Sequence, residues 1–492
     1  MFRIGSRGIV LAVSGLVAVT SIVMMGVSDD IRTQSDGKLI TTSKRSPVSL
    51  NEISAAVGVL REGYAYAERM SPRVMFVSAL KGVQDSIPSV LVSEFPVGSR
   101  QNVEKVTLRV GHEEKEYDLS ELNDLYEMNW KLMDAATFLA NETSEKLNDI
   151  EEWLLEGLLA PLDPHTSYLD ALALQEITMS TTGKFGGLGI VISVRGGELK
   201  VMSVMEDTPA SEAGLQEGDH VVQINDESTV NMLVSEAASR MRGKPGTVVT
   251  IWIKREGWTE PEKRIIERRI IRMKSAEGEK LSDGTLAIWI RNFQKGTTGE
   301  VEKILRDHPD TKRLVLDLRG NSGGLMYQAV SLADLFMDGG VVVRARYREG
   351  IEDEVNRAKQ GEDWEALPII VLVDSGTASA SEILAGALKF SNRATIVGSQ
   401  TFGKGSVQFL RELERGAIKM TVAQYLVPGE ISIPGRGEAP HLTLVPVRVG
   451  ETDIRQGMLQ HSSGSSHYEH YLSAPLTLHD RTPLVIASDY SS

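Results

Sequence analysis

A strand–helix–strand pattern late in the chain constrains its fold more than any other feature. An apolar run, Ile369–Val373, is long enough for a buried strand, and a second apolar run covers Ala394–Val397. Between them, apolar residues at three- and four-residue spacing predict a helix. Two serines, Ser379 and Ser381, therefore lie at a strand-to-helix turn, and Lys404 follows the second strand between two glycines.

This arrangement suits a nucleophile. A helix N-terminus offers unpaired N–H groups and the positive end of a dipole, which can hold the oxyanion formed when a serine attacks an amide. The stretch contains no histidine that could take the proton of the serine. Lys404 can serve as the base if burial lowers its pKa from about 10.4 towards neutrality.

Two other interpretations stay open on spacing alone. The small residues around Ser379 could only let a helix pack on a sheet, with Lys404 in a solvated turn. The segment from Gly398 to Lys404 also satisfies the phosphate-binding pattern GxxxxGK, but Gly405 stands where that pattern needs a Mg²⁺-binding hydroxyl. The following VQFLREL does not have a helical pattern, which disfavours nucleotide binding.

A family resemblance decides among these interpretations. GTASASEI, followed by TFGKGSVQ, resembles the C-terminal processing peptidases, also called tail-specific proteases, which are serine proteases with a Ser–Lys pair. The resemblance implies that Ser379 is the nucleophile, Lys404 the general base and Gln408 the residue that orients the lysine. Ser381 is then the structural serine of the pair. Similar motifs extend over residues 162–447.

Composition excludes several other classes. A chain of 492 residues is long enough for about three domains. Its net charge of −14 disfavours a nucleic-acid partner. The absence of cysteine excludes disulfides, thiolate metal sites and a cysteine nucleophile.

The N-terminus predicts export. Arg3 and Arg7 precede an uncharged run, Ile9–Ser28, and about 20 helical residues span a bilayer. Residues 1–28 are therefore expected to be a signal peptide or membrane anchor, followed by a linker over 29–47. The rest of the chain is expected in the periplasm, or anchored to the outer face of the bacterial cytoplasmic membrane.

Residues 48–180 are predicted to be mainly helical, from apolar residues at helical spacing. An alternating segment, Val106–Leu119, predicts a β-hairpin within this region. Glu151 and Glu152 are interpreted as a solvated helix face. The element LDPHTSYL is similar to one that precedes the PDZ domain in the family, and its His165 is expected to be structural.

Residues 181–265 are predicted to form a PDZ domain. The segments DTPASEAGLQEGDHVVQIND and RGKPGTVVTIWIKR resemble bacterial PDZ domains. In such a domain a C-terminal peptide adds a strand, here beside Ile190–Val194. The peptide carboxylate is expected to bind the backbone N–H groups of Leu188, Gly189 and Ile190. A small β domain that binds nothing is the plain alternative.

Residues 266–447 are predicted to form the protease core. Its segment DLRGNSGG resembles the family element DLRGNPGG, with Ser322 in place of proline. The resemblance implies an oxyanion hole made by a backbone N–H of Gly323 or Gly324, with that of Ala380. The sequence does not decide between the two glycines.

The C-terminal end departs from the family. The family element GKGIxPD is GRGEAPH here, so that His441 replaces an aspartate. Residues 448–492 match no motif, and a loosely packed tail is expected there in preference to a histidine metal site.

The predicted fold class is α+β multidomain: a helical N-terminal region, a PDZ β-domain and a crotonase-like α/β protease core. The predicted function is serine endopeptidase cleavage of exported proteins near their C-termini, without cofactor or metal, on substrates with loose apolar tails. The expected partners are protein substrates, and the membrane is contacted only through the N-terminal segment. A regulatory partner and homo-oligomerisation stay open. The alternative function is a catalytically inactive PDZ adaptor.

Overall fold

The structure is a computed structural model that describes residues 50–96, 102–361, 364, 366–429, 431–432, 435 and 437–444. The expected membrane segment 1–28, the linker 29–47 and the tail 448–492 lie outside these residues. Within the described ranges, no helix is both long and apolar enough to cross a membrane.

Helices dominate the N-terminal region, as the apolar spacing predicts. They are α1 (Asn51–Gly63), α2 (Pro72–Ser86), α3 (Leu125–Glu142), α4 (Leu147–Leu159) and α5 (Ala171–Thr182). Helices α2 and α4 pack closely because glycines face each other: a Cβ on Gly82 would lie 2.5 Å from the carbonyl oxygen of Trp153. The strands of this region are β1 (Val90–Phe95), β2 (Lys105–Val110), β3 (Glu113–Asp118) and β4 (Ser167–Leu169). The β2–β3 pair is the predicted hairpin, and β1 adds a third antiparallel strand.

One sequence interpretation in this region is wrong. Glu151 does not lie on a solvated face: it is only 4% exposed. Its Oε1 accepts hydrogen bonds from the backbone N–H groups of Glu52 and Ile53, and its Oε2 pairs with Arg415. Through these contacts the carboxylate links the N-terminal helices to the β-hairpin of the core that carries Arg415. The local charge pattern could not reveal contacts with such distant residues.

The PDZ domain follows as a six-stranded sheet, a separate pair of strands and two short helices. Its elements are β5 (Lys184–Gly187), β6 (Ile190–Arg195), β7 (Glu198–Val204), α6 (Pro209–Glu212), β8 (His220–Ile224), β9 (Glu227–Ser228), α7 (Val234–Met241), β10 (Val248–Lys254), β11 (Glu262–Glu267) and β12 (Arg269–Arg272). The strand order is β11-β10-β8-β7-β6, so β6 is an edge strand. Strands β5 and β12 pair with each other where the chain enters and leaves the domain.

Two sheets form the remaining core. The elements are β13 (Ala276–Lys280), β14 (Thr285–Ile290), α8 (Thr297–Asp307), β15 (Arg313–Asp317), α9 (Met326–Asp334), β16 (Gly340–Tyr347), β17 (Glu354–Ala358), β18 (Ile369–Val373), α10 (Ala380–Phe390), β19 (Ala394–Gly398), β20 (Ser406–Glu412), β21 (Ala417–Val427), β22 (Ile431–Ser432) and β23 (Leu442–Thr443). One sheet has the order β13-β14-β15-β18-β19-β23 and is parallel from β14 onward. The other, β17-β16-β21-β20, is antiparallel.

This topology positions the functional loops. Strands β15 and β18 are parallel neighbours, so the loops at their carboxyl ends lie side by side. The first loop is DLRGNSGG and the second contains Ser379. The segment after Lys404 is strand β20, not the helix that a phosphate-binding loop requires. The predicted fold class, α+β with a helical region, a PDZ domain and a mixed α/β core, is confirmed.

Candidate active site

Ser379 lies at the N-cap of α10 in an unusual backbone conformation, with φ +57° and ψ −118°. Residues other than glycine rarely adopt positive φ, and such strain persists only where surrounding contacts enforce it. A strained turn between a strand and a helix exposes a nucleophile at the edge of a sheet. Ser379 is half-buried, whereas both of its neighbours in the chain are buried.

Ser381 has a different environment. It is fully buried, and its Oγ donates to the carbonyl oxygen of Asn321 at 3.0 Å. The N–H of Ala378 donates to the same oxygen at 3.0 Å. Ser381 therefore holds the turn that carries Ser379 against the neighbouring loop.

That loop fits against Ser379 only because it contains glycine. A Cβ on Gly323, whose φ is +103°, would lie 2.8 Å from the Cβ of Ser379 and 2.9 Å from the nitrogen of Ala380. The N–H of Gly323 donates to Asn321 Oδ1 at 2.9 Å. Gly324 lies beside the backbone of Phe293, where a Cβ would come within 2.3 Å of the carbonyl oxygen.

Glu382 joins the predicted nucleophile and the predicted base. This carboxylate is 0% exposed. One oxygen accepts the backbone N–H groups of Ser379 at 2.8 Å and Lys404 at 2.9 Å. The other accepts Gly403 N–H at 2.7 Å and the Thr401 hydroxyl at 2.6 Å. Sequence reasoning missed this residue, although Ser379-x-x-Glu382 has the spacing of a capping box.

Lys404 is placed in surroundings that favour a neutral amine. Burial lowers the pKa of Lys404, and the positive charge of Lys419 lowers it further. The hydroxyl of Tyr425 is buried beside Ser379, and burial, followed by the negative charge of Glu382, raises the pKa of this phenol well above its usual value. Tyr425 therefore stays protonated and adds no charge next to Ser379.

Gln408, the predicted lysine-orienting residue, is anchored by its amide nitrogen. Nε2 donates to Ser406 Oγ at 3.1 Å and to Thr421 Oγ1 at 2.9 Å. Its Oε1 is buried without a hydrogen-bond partner among the described residues. Within the same set, no hydrogen bond joins the Lys404 amine to Ser379 or to Gln408. Hydrogen bonds of this kind are often long until a substrate binds.

The remaining predicted residues lie outside this cluster. Leu188, Gly189 and Ile190 belong to the PDZ domain, where Gly189 has φ +84° and a Cβ would come within 2.4 Å of the Thr208 side chain. His441 lies against β19, and its Nδ1 accepts the N–H of Ile396 at 3.0 Å. In the part of the chain that the structure describes, no group of three or more His, Asp or Glu side chains could hold a metal ion.

Two family models match the chain, and they agree with this domain order. The family model "Peptidase family S41" matches residues 284–444, and the model "PDZ domain" matches residues 176–254. The chain is 39% identical over 321 residues to the carboxy-terminal-processing protease of Bartonella bacilliformis, a match that covers 61% of this chain and 73% of that protein. It is 34% identical over 316 residues to a "Probable CtpA-like serine protease" of Staphylococcus epidermidis, covering 62% of each. Among solved structures, it is similar to the photosystem II D1 C-terminal processing protease, with 27% identity, 66% of this chain and 88% of that chain covered, and a TM-score of 0.39.

A PDZ domain followed by a sheet domain of this family defines a class, the processing serine peptidases that use a Ser–Lys dyad. The chain belongs to peptidase family S41, and within it to the C-terminal processing, CtpA-like proteases. The predicted family and enzyme class are confirmed. Its PDZ domain implies binding of the C-terminal peptides of protein substrates.

Glu382→Gln is expected to lower both stability and activity. A glutamine can replace only one of the two carboxylate oxygens as an acceptor, so its NH₂ would face backbone N–H donors of Ser379, Gly403 or Lys404. Leaving buried donors unpaired costs about 2–4 kcal/mol of unfolding free energy. Chemical unfolding and cleavage assays on the variant measure both effects. A variant of unchanged stability and rate would show that the carboxylate does not hold the two loops.

Proposed function

We propose that this chain is an endopeptidase that cleaves exported proteins near their C-termini, with Ser379 as nucleophile and Lys404 as general base. One observation carries the proposal: a buried carboxylate, Glu382, binds the backbone of both residues, and the amine of Lys404 has a lowered pKa. An arrangement that holds a strained serine and a desolvated lysine on one anchor meets the requirements of a Ser–Lys pair.

Acylation and deacylation each need two proton transfers through Lys404. The neutral amine takes the proton of Ser379 Oγ as this oxygen bonds to the substrate carbonyl carbon. The resulting ammonium then protonates the leaving nitrogen as the C–N bond breaks, which leaves an acyl-enzyme. Water, deprotonated by the same amine, attacks the acyl carbon. The ammonium then returns this proton to Ser379 Oγ as the ester C–O bond breaks, which releases the product acid and the free enzyme.

The oxyanion of each tetrahedral intermediate is assigned to the N–H groups of Gly324 and Ala380. The N–H of Gly323 is already donated to Asn321 Oδ1, which disfavours it as a donor to substrate. Ala380 begins α10, so the positive end of the helix dipole adds to its N–H. The proposal therefore favours Gly324 over Gly323, the two alternatives that the sequence leaves open.

Binding of the C-terminal tail of the substrate is assigned to the groove of the PDZ domain. Strand β6 is an edge strand, so its outer side is available for β-augmentation by a peptide. Val191 on β6 and Val234 on α7 are apolar residues that are partly exposed. Leu188 and Gly189 lead into β6, which begins at Ile190, and a tail carboxylate would bind the backbone N–H groups of these three residues. Unfolded substrates with apolar C-terminal residues fit this groove.

The test of tail recognition compares one unfolded substrate with a free and with an amidated C-terminus. The free carboxylate should be cleaved faster at subsaturating concentration, because amidation removes the charge that the loop binds. Ser379→Ala serves as the inactive control in both reactions. Equal cleavage of the two substrates would remove the groove from substrate selection.

Export is proposed from the N-terminal sequence. Arg3 and Arg7 before the uncharged Ile9–Ser28 support a chain whose bulk lies outside the cytoplasmic membrane. A topology reporter fused after Asp30 should be active only on the outer side. Reporter activity confined to the cytoplasm would refute export.

A further inference from the structure

Gln408 carries a buried acceptor that nothing in the described part of the chain uses. Its Nε2 is bound by Ser406 and Thr421, whereas Oε1 has no partner. A buried carbonyl oxygen without a donor costs about 1–3 kcal/mol. Other hydrogen bonds must therefore hold the amide in the orientation that leaves Oε1 without a partner.

Thr421 fixes which end of the amide faces it. This residue of β21 is 0% exposed, and its hydroxyl donates to Asp163 Oδ1 at 3.0 Å. A hydroxyl has one proton, so the Thr421 oxygen can only accept from Gln408. Gln408 must present its NH₂ group to Thr421, and Oε1 is turned to the other side.

Asp163 fixes the direction of the Thr421 hydroxyl. Burial raises the pKa of Asp163, but hydrogen bonds from Thr166, the His165 N–H and Thr421 outweigh it and hold the pKa below its usual value. The ionised carboxylate can only accept, so the Thr421 proton must point to it. The turn that carries Asp163 is held on β21 by the Thr421 N–H, which donates to Thr166 Oγ1 at 3.1 Å.

The same turn lies next to the loop of Lys404. A cavity of about 190 Å³ separates them and is lined by Asp163 and His165 on one side and by Gly403, Gly405 and Ser406 on the other. Burial, and then the positive charge of Lys404, lower the pKa of His165. Asp163, Thr421 and Gln408 thus form a chain of hydrogen bonds from the N-terminal region towards the lysine.

We propose that Asp163 and Thr421 are positioning residues, which hold Gln408 with Oε1 as an acceptor for the amine of Lys404. The inference rests on the proposed Ser–Lys mechanism. With Oε1 accepting one amine N–H, the nitrogen lone pair stays available for the proton of Ser379. With the amide reversed, its NH₂ would donate to that lone pair and block the base. The N-terminal helical region is therefore part of the catalytic apparatus.

Thr421→Val, made in the full chain, tests the proposal because it removes the hydroxyl and keeps the shape. It should lower kcat about tenfold to a hundredfold, as expected for a misaligned base, with little change in KM. Thr421→Ser should restore most of the rate. In a Gln408→Ala background, Thr421→Val should have no further effect, because Thr421 acts through that amide. An equal fold decrease in kcat on Thr421→Val in the wild-type and Gln408→Ala backgrounds would overturn the proposal.

The pH profile separates positioning from loosened packing. If Thr421→Val only misorients Gln408, the high-pH plateau of kcat should fall without a shift of the ionisation to higher pH. A looser site that admits water would raise the pKa of Lys404 towards its usual value, and that shift would refute the positioning role. The Ser379→Ala variant distinguishes a failure of the proposed function from a failure of this inference alone. If it still cleaves, the proposed function fails; if it is inactive and Thr421→Val is unimpaired, only this inference fails.

Discussion

Replacing Ser379 with alanine is expected to abolish proteolysis, with a rate loss on the order of 10⁴-fold or more. The substitution removes only the nucleophilic oxygen. Stability should fall by only about 1 kcal/mol, the usual cost of losing an N-cap side chain, because the backbone N–H of Ser379 still donates to Glu382. Alanine also meets the same φ of +57° that serine already tolerates. Cleavage of an unfolded test protein and a thermal melt measure the two properties.

Two neighbouring serines provide matched controls. Ser375→Ala alters an exposed side chain of the same turn and should be silent in both assays. Ser381→Ala removes a buried hydrogen bond to the carbonyl of Asn321, so it should lose about 1 kcal/mol of stability and retain part of the activity. Full activity of Ser379→Ala together with an inactive, folded Ser381→Ala would reassign the nucleophile.

Lys404→Arg is expected to lower the single-turnover cleavage rate by about a hundredfold or more, the usual contribution of a general base. A guanidinium stays protonated at any working pH and cannot accept the proton of Ser379. Lys404→Ala should be equally inactive. Both variants should still bind tail peptides through the PDZ domain, which a binding assay with a labelled peptide measures.

The wild-type rate should rise with pH through the ionisation of Lys404. The direction follows from the site: burial and the charge of Lys419 disfavour the ammonium, so the pKa lies below the ordinary 10.5. Below that pKa the amine is charged and the base is absent; above it the amine is neutral and the rate reaches a plateau. Lys419→Met removes one of the two causes and should move the ionisation to higher pH. Near wild-type cleavage by Lys404→Arg would refute the assignment of the base.

Much of the fold followed from local patterns. Ile369–Val373 and Ala417–Val427 form strands over the predicted residues, because continuous or alternating apolar runs have few other stable environments. The predicted hairpin between residues 106 and 119 also forms. The prediction of a solvated Glu151 is wrong because its buried carboxylate has partners far along the chain, including Arg415.

In the candidate site, too, some properties could be predicted from the sequence and others could not. The sequence by itself predicted which residues carry the chemistry, since Ser379, Lys404 and Gln408 lie in one contiguous motif that resembles the family's. The family resemblance also limited one predicted oxyanion-hole donor to Gly323 or Gly324, although it left these two glycines equivalent.

Only the tertiary structure decided how these groups are held. Glu382 binds the backbone of Ser379 and Lys404 through a carboxylate buried between two loops, and the orientation of Gln408 depends on Thr421 and on Asp163, from another region of the chain. Sequence spacing reports neighbours along a strand or helix, whereas desolvation and hydrogen-bond direction depend on groups that meet only after folding. Burial and the charge of Lys419 lower the pKa of Lys404, and both arise from contacts that form only on folding.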